Sequence, residues 1–303
     1  MDLTRKHLSV LMLCALLAVQ VSAQLPVLEF EQELDFDEPE AWAMKYFASA
    51  SLLTSLGPVV ATEAGQIDLG LELLEIPRLS QEERTVGFGG FKEEDLNRSP
   101  VWARFRLRLG LPRGFGLTLG WAPPVEVDGV EANLASLALE KSLWQNHRWG
   151  LGLRAYGQVG QAEGDFTCAA GGDERFPPGS PENPFGCEAP SEDQVDLDYF
   201  GLELVGHYRL AGSRSPTLHF GISWNSLDLT FQVEAQTFGF LDRTRLLADG
   251  ETVALNAGAT WKLSKPTQLG LELFYSSLEV DRGVGEQNDP LFNVRALLSY
   301  RLR

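Results

Sequence analysis

Apolar and polar side chains alternate with a period of two in many long runs along this chain. In the run 101–111 every odd position is apolar, whereas Arg104, Arg106 and Arg108 occupy even positions. Successive side chains of a β-strand point to opposite faces, so this pattern predicts strands with one apolar and one polar face. Similar runs lie near residues 66–77, 115–123, 130–144, 151–159, 196–210, 216–234, 250–263, 269–276 and 290–302.

The runs and the links between them favour one all-β architecture. Strands of soluble sandwiches usually have five or six residues, whereas these runs have about 9 to 14. Short links near 112–114, 145–147, 211–215 and 264–266 alternate with long links near 79–99, 124–129, 162–195, 235–249 and 281–289. Short turns at one end and long loops at the other are typical of a transmembrane antiparallel up-and-down β-barrel.

Aromatic residues cluster where the predicted strands end. One set lies near the short turns and comprises Trp144, Trp149, Tyr208, Trp261 and Tyr300, and the other set comprises Trp121, Phe200, Tyr275 and Phe292. Tryptophan and tyrosine are enriched at membrane interfaces. The two sets are therefore interpreted as girdles at the two edges of a bilayer.

With these strands, links and aromatic residues, the chain resembles bacterial outer-membrane β-barrel proteins as a broad class, over about residues 44–303. The segment 298–303 resembles the terminal strand that the barrel assembly machinery recognises, although it ends on Arg303 rather than on an aromatic residue. The resemblance implies insertion into a bacterial outer membrane and contact with its lipid and lipopolysaccharide. It names no specific family within the class.

The first 23 residues have the pattern of a cleaved secretory signal peptide. Arg5 and Lys6 precede an apolar run at 8–21, and small residues at Ser22 and Ala23 precede Gln24. The apolar run is shorter than the roughly 20 residues that a spanning helix needs. We therefore expect this segment to direct export and to be removed. The rest of the chain would then consist of an acidic segment at 24–43 and the barrel at 44–303.

The number of strands depends on the residues before 58. Ten runs are counted from residue 66 onward, and 44–57 also alternates. Single-chain bacterial barrels have even strand numbers, so an eleventh strand would need a twelfth, for which 28–37 is the candidate. Alternatively, the residues 37–40 (Asp-Glu-Pro-Glu) begin a helix over 38–55, packed under or inside a ten-stranded barrel. Twelve strands are preferred here over ten strands with an N-terminal helix or plug.

Cys168 and Cys187 are the two cysteines beyond the signal peptide. An irregular segment rich in Gly, Pro and acidic residues separates them, and exported proteins commonly carry disulfides. One disulfide that closes a long loop is predicted, with two free thiols as the alternative. The many acids of 163–198 are compatible with a divalent-cation site near lipopolysaccharide phosphates, but a solvated external loop is the preferred interpretation.

If the apolar faces contact lipid, charged residues of both signs face the lumen. These predicted lumen-lining residues are Arg104, Arg106, Arg108, Arg154, Arg209, Arg295, Arg301, Glu72, Glu140, Glu203 and Glu272. Unpaired, the arginines would form a narrow channel for small, anionic solutes. Paired across strands, they would fill a closed barrel with a structural or docking role. A soluble periplasmic β-barrel or sandwich that binds lipid is the remaining alternative.

Other function classes are disfavoured by composition and spacing. A net charge of −17 and a pI near 4.7 exclude a surface that binds nucleic acid broadly. His147, His207 and His219 all lie near the short-turn end, without a spacing that supports a Ser-His-acid triad, so no enzyme activity is expected. No cofactor or metal is expected. The Asn-Pro-Ala signature of fatty-acid transporters is also missing.

Overall fold

The barrel has ten strands, as a computed structural model of residues 25–212, 215–283 and 285–303 shows. The predicted signal peptide and its cleavage site lie outside these residues. The strands are β1 (Ile67–Glu75), β2 (Val101–Gly110), β3 (Phe115–Ala122), β4 (Val130–Gln145), β5 (Trp149–Gly164), β6 (Asp193–Arg209), β7 (Thr217–Gln232), β8 (Arg245–Lys262), β9 (Thr267–Ser276) and β10 (Leu291–Arg301). Each pairs antiparallel with the next, and β10 pairs with β1 to close the barrel.

The preference for twelve strands is not confirmed, and the ten-strand alternative fits. Residues predicted as a strand at 44–57 instead form the end of helix α1 (Pro39–Ser51) and the extended chain that follows it. Pro39 provides the first turn of α1, where its missing N–H costs nothing, and alanines favour the helix. Side chains all around α1 are buried, which removed the one-sided apolar pattern expected of a surface helix.

Short elements complete the structure of the described residues. The short strands are Val27–Leu28, Glu31–Glu33, Thr85–Val86, Lys92–Glu93, Glu126–Val127, Ala235–Thr237, Phe240–Asp242, Glu279–Asp281 and Glu286–Asn288. The short helices are Gln81–Arg84 and Gly87–Gly90, with 3-10 turns at Pro112–Gly114 and Asp173–Arg175. Within the described residues, no helix has the length and apolar character needed to cross a membrane.

The longest strands reverse their polarity part of the way along. In β6, Phe200, Leu202 and Leu204 point outward and Glu203 points inward, but Val195 and Leu197, near the long-loop end, point inward. The same reversal occurs in β7, between Trp224, which points outward, and Leu227, which points inward. The barrel therefore has two parts: an apolar band, whose outer face is apolar, and a cup at the long-loop end, whose inner face is apolar.

The N-terminal segment runs through the whole barrel. Glu31–Glu33 pairs in parallel with the cup end of β8, and α1 lies inside the cup. Residues 52–64 then pass down the lumen to the short-turn end, where Gly65 donates its N–H to the carbonyl of Gly110. We call α1 and residues 52–64 together the plug segment. A Cβ atom at Gly110 would overlap the carbonyl oxygen of Glu63, so glycine allows the plug segment to pass this close to the wall.

The predicted disulfide between Cys168 and Cys187 is confirmed. Both cysteines are buried in a small apolar cluster with Val233 and Ala235, and Cys187 forms an isolated β-bridge with Thr237. The disulfide therefore closes the 165–192 loop on itself, and the β-bridge of Cys187 holds this loop against the 233–244 loop above the cup.

Replacing both cysteines by serine should loosen the 165–192 and 233–244 loops, called here the cover loops, without opening the barrel. The closed loop spans 19 residues of sequence separation, and closing a loop of this length contributes about 3 kcal/mol in the chain-entropy model. Limited proteolysis of the folded protein should therefore cut the 165–192 loop more than tenfold faster in the double variant. Equal cleavage rates in the two proteins would show that the loop is held by its other contacts.

Candidate functional site

Four arginines of the barrel wall hold the plug segment by its main chain. Arg295 donates to the carbonyls of Leu52 (2.7 Å), Ser49 (3.1 Å) and Ala50 (3.3 Å), all at the end of α1. The remaining contacts are from Arg104 to the Ser51 carbonyl, from Arg154 to Leu53 (2.9 Å) and from Arg106 to Thr54 (2.8 Å). We call these four residues the arginine latch.

The chemistry of a helix end explains why arginines occupy these positions. The last carbonyls of a helix have no partner within the helix, and the negative end of the helix dipole attracts cations. Arginine has five donors in a planar fork and remains charged when buried. The arginine latch therefore satisfies main-chain acceptors that water would otherwise have to satisfy in the middle of the lumen.

Buried carboxylates pair with three of the four arginines of the latch. Glu72 accepts from Arg106 at 2.7 Å and lies 3.5 Å from Arg104, and all three side chains are almost completely buried. Glu203 accepts from Arg154 at 2.5 Å and from the Asn256 amide at 2.7 Å. These ion pairs join the wall to itself on either side of the plug segment.

The other residues predicted to line the lumen are divided between its interior and its rim. Glu140 pairs with the partly buried Arg108, and Glu272 accepts from the Thr54 hydroxyl at 2.6 Å. Arg209 is exposed beside the carbonyl of His147, and Arg301, also exposed, pairs with Asp68 at 2.9 Å. The last two lie at the short-turn rim.

Below the arginine latch, a polar cavity of about 670 Å³ opens at the short-turn end. Its lining includes plug residues such as Pro58 and Thr62 and the wall residues Arg108, Lys262 and Gln268. The plug segment with its latch separates this cavity from the cup.

Inside the cup lies an apolar cavity of about 440 Å³, which we call the cup cavity. Its lining combines Met44 and Phe47 of α1, Phe231 and Leu246 of the wall, and Phe166 of the 165–192 loop. Apolar cavities of this size, with few polar groups, are typical of sites for small molecules. A polar or charged solute would lose its hydration there without compensating partners.

A second apolar cavity, of about 510 Å³, lies beside the first and is called here the wall cavity. The two share Phe47, Leu96, Phe166 and Val195 in their linings, so these side chains border both cavities. Unlike the cup cavity, the wall cavity is lined by residues from both faces of the barrel wall. Ala132 and Leu197 face the interior, whereas Phe105 faces outward.

A few ionisable groups border the cup cavity. Burial raises the pKa of Glu94 to about 7, although the adjacent Lys92, at 2.7 Å, partly opposes this shift. Elsewhere in α1, burial lowers the pKa of Lys45, which does not line the cavity, to about 8, against the attraction of Asp37 and Glu279. Because its pKa is raised, Glu94 carries less negative charge near neutral pH than an exposed glutamate does, so the border of the cavity is less polar than its composition indicates.

Two of the histidines considered from the sequence lie inside the barrel. His207 and His219 pair across β6 and β7 inside the lumen, and His219 lies 3.3 Å from Glu272. No hydrogen bond joins either histidine to a serine in the part of the chain that the structure describes. Within the same residues no group of three or more potential metal ligands occurs.

Sequence reasoning missed the cup and its cavity, although a signal for them is present. In β6 the apolar residues occupy odd positions at Val195 and Leu197 but even positions from Phe200 onward. Such a change of parity within one uninterrupted strand means that the apolar face changes from one side of the sheet to the other, here from inward to outward. The sequence also carried a signal for the plug segment, because residues 37–40 have the pattern of a helix start.

Comparison with known proteins finds likeness in fold. No protein-family profile and no curated protein matches this chain. Among solved structures, an outer membrane channel of Pseudomonas putida F1 is 11% identical over 81% of this chain and 98% of its own, with a TM-score of 0.42. The outer membrane protease OmpT of Escherichia coli is 10% identical over 78% and 94%, with a TM-score of 0.37.

The toluene transporter TbuX of Ralstonia pickettii is 8% identical over 80% of this chain and 90% of its own, with a TM-score of 0.32. The structural neighbours of this chain are thus bacterial outer-membrane β-barrel proteins, the class that the sequence resembles.

Proposed function

We propose that this protein is an integral outer-membrane barrel that takes up small, uncharged, apolar molecules from the outside of the cell. The observation that carries the proposal is the apolar cup cavity, set above an apolar band and closed from below by the plug segment. The band supports the membrane location. On β10 it runs from Phe292 to Tyr300, which at a tilt of about 40° spans about 20 Å.

The orientation follows from the loops. In outer-membrane barrels the short turns face the periplasm and the long loops face outward, so the cup would stand outside the membrane. The N-terminal segment then begins at the outer end and crosses the lumen inward. The proposal includes export through the signal peptide and insertion by the barrel assembly machinery.

The arginines favour a closed lumen over the anionic channel considered from the sequence. Arg104, Arg106, Arg154 and Arg295 donate to the plug segment and to carboxylates rather than to an open pore. An anion passing through would have to displace the plug segment from these donors. A closed barrel with a docking role is the second candidate, because the plug segment blocks the lumen and the cover loops, bridged by Cys187 and Thr237, form the surface above the cup.

Binding of an apolar fluorescent dye tests the proposal. N-phenyl-1-naphthylamine, which fluoresces in apolar surroundings, should bind saturably to the protein in nanodiscs, above the signal of empty nanodiscs. Leu246→Asn should weaken this binding about tenfold, because an amide in the cavity lining would lose hydrogen bonds to water worth 1–3 kcal/mol. Leu247→Asn, on the opposite face of the same strand, should bind as the wild type does.

The control variant separates loss of the site from loss of the fold. Both proteins must keep the heat-dependent gel migration of a folded barrel. Absence of saturable binding to the wild type would overturn the proposal and leave the docking role.

A further inference from the structure

We infer that the wall cavity is a lateral exit, through which an apolar molecule leaves the cup cavity directly into the outer leaflet of the membrane. The inference rests on the proposed function and adds the route to it. Three features of the described residues carry it: a notch in the wall, a cavity that spans the notch, and a blocked axial route.

The notch arises because two neighbouring strands differ in reach. β2 and β3 pair only from Phe105–Trp121 to Gly110–Gly116. On the cup side of the Phe105–Trp121 pair, residues 101–104 of β2 pair only with β1. There β3 ends at Ala122, and the chain turns away into the 123–129 loop. The sheet is thus interrupted just above Phe105 and Trp121.

The position of the notch matches the edge of the apolar band. Phe105 and Trp121 point outward with about half of their surface exposed (52% and 49%). Trp121 belongs to the aromatic girdle at the cup end. The outer leaflet would therefore contact the barrel wall at the level of Trp121, because aromatic girdles mark the interface between membrane and water.

The wall cavity passes through this notch. On the inside it is lined by Ala50, Ala132 and Leu197, and on the outside by Val101 and Val125. Both outside residues are exposed and apolar (49% and 60%). A molecule in this cavity would therefore contact apolar surface continuously from the interior of the cup to the lipid.

The axial route offers no such surface. Directly below the cup, the arginine latch and Glu72 fill the cross-section with buried charge bonded to the plug segment. An apolar molecule taking this route would have to separate ion pairs without replacing their partners, which is costly at low dielectric. Towards the lateral route, by contrast, the cup cavity is bordered by apolar side chains that also line the wall cavity, namely those of Phe47, Leu96, Phe166 and Val195.

Uptake of N-phenyl-1-naphthylamine by intact bacteria tests the exit, since a lipopolysaccharide leaflet slows entry of this dye. Cells expressing the wild type should become fluorescent several-fold faster than cells with empty vector. Ala132→Trp, which fills the wall cavity, should reduce the rate to that of empty vector while purified protein still binds the dye. Ala135→Trp, on the outward face of the same strand, should leave the rate unchanged.

Two further variants make the outcome decisive. Gln268→Trp narrows the polar cavity at the short-turn end and should not slow uptake. Ala103→Trp obstructs the notch from the lipid side, away from the cup cavity. If Ala132→Trp loses dye binding, the uptake rate of cells with Ala103→Trp tests the exit in its place. A wild-type rate in the notch variants, or slow uptake in Gln268→Trp, would overturn the lateral exit, whereas a wild type that binds no dye would overturn the proposed function instead.

Discussion

Deleting residues 25–62 should turn a silent barrel into a conducting one. The wild type should show no discrete conductance steps in planar bilayers, because the plug segment and its latch fill the lumen. Without the plug segment, the four latch arginines would lose the main-chain carbonyls and face water. A wall with an excess of cationic groups raises the local anion concentration, so the open pore should prefer anions.

A shorter deletion controls for the loss of the N-terminal residues that lie outside the lumen. Removing residues 25–34 takes away the short rim strands but leaves α1 and the latch contacts, so this protein should remain silent. If the larger deletion prevents folding, Arg104→Gln combined with Arg295→Gln should show brief openings, because the end of α1 loses most of its donors. Wild-type conductance equal to that of the larger deletion would contradict the plug.

Glu72→Gln should destabilise the barrel strongly. Glu72 is completely buried and is the carboxylate that compensates both Arg104 and Arg106. The glutamine keeps the volume but leaves two buried guanidinium groups without a counter-charge, and breaking a buried pair in this way costs roughly 3–5 kcal/mol. The free energy of unfolding, measured by denaturant titration of the protein in micelles, should fall by that amount.

Asp68→Asn provides the comparison on the same strand. Asp68 pairs with Arg301, whose side chain is 42% exposed at the rim. Water and salt screen such a pair, so its loss should cost at most about 1 kcal/mol. Similar effects of the two substitutions would mean that water reaches Glu72 and that the lumen is not closed around the latch.

The barrel itself could be predicted because each strand carries its own evidence. An apolar face next to lipid and a polar face next to the lumen give a period of two that is visible without any knowledge of partners. The alternation of short and long links then specifies which strands are neighbours. The disulfide was predictable for a similar local reason, since an exported chain with two cysteines in one irregular loop has few other pairings.

The plug segment could not be settled from its residues. The stretch 44–57 alternates, and its surroundings inside the cup bury it from all sides, so no one-sided pattern distinguished helix from strand. A helix buried on all sides is stabilised by its contacts with other elements, and these contacts come from loops and strands far along the chain. Trp42, for example, donates its indole N–H to the carbonyl of Asp289.

By itself, therefore, the sequence determined the closed barrel, the ends at which its turns and loops lie, and the inward direction of its arginines. Tertiary structure decided what those arginines bind. Charges of either sign at period two are compatible with an open cationic pore or with a filled lumen, because the partners of Arg104 and Arg295 are main-chain carbonyls, which every residue has. No side-chain pattern can mark such an acceptor, and only the path of the plug segment brings it to the guanidinium groups.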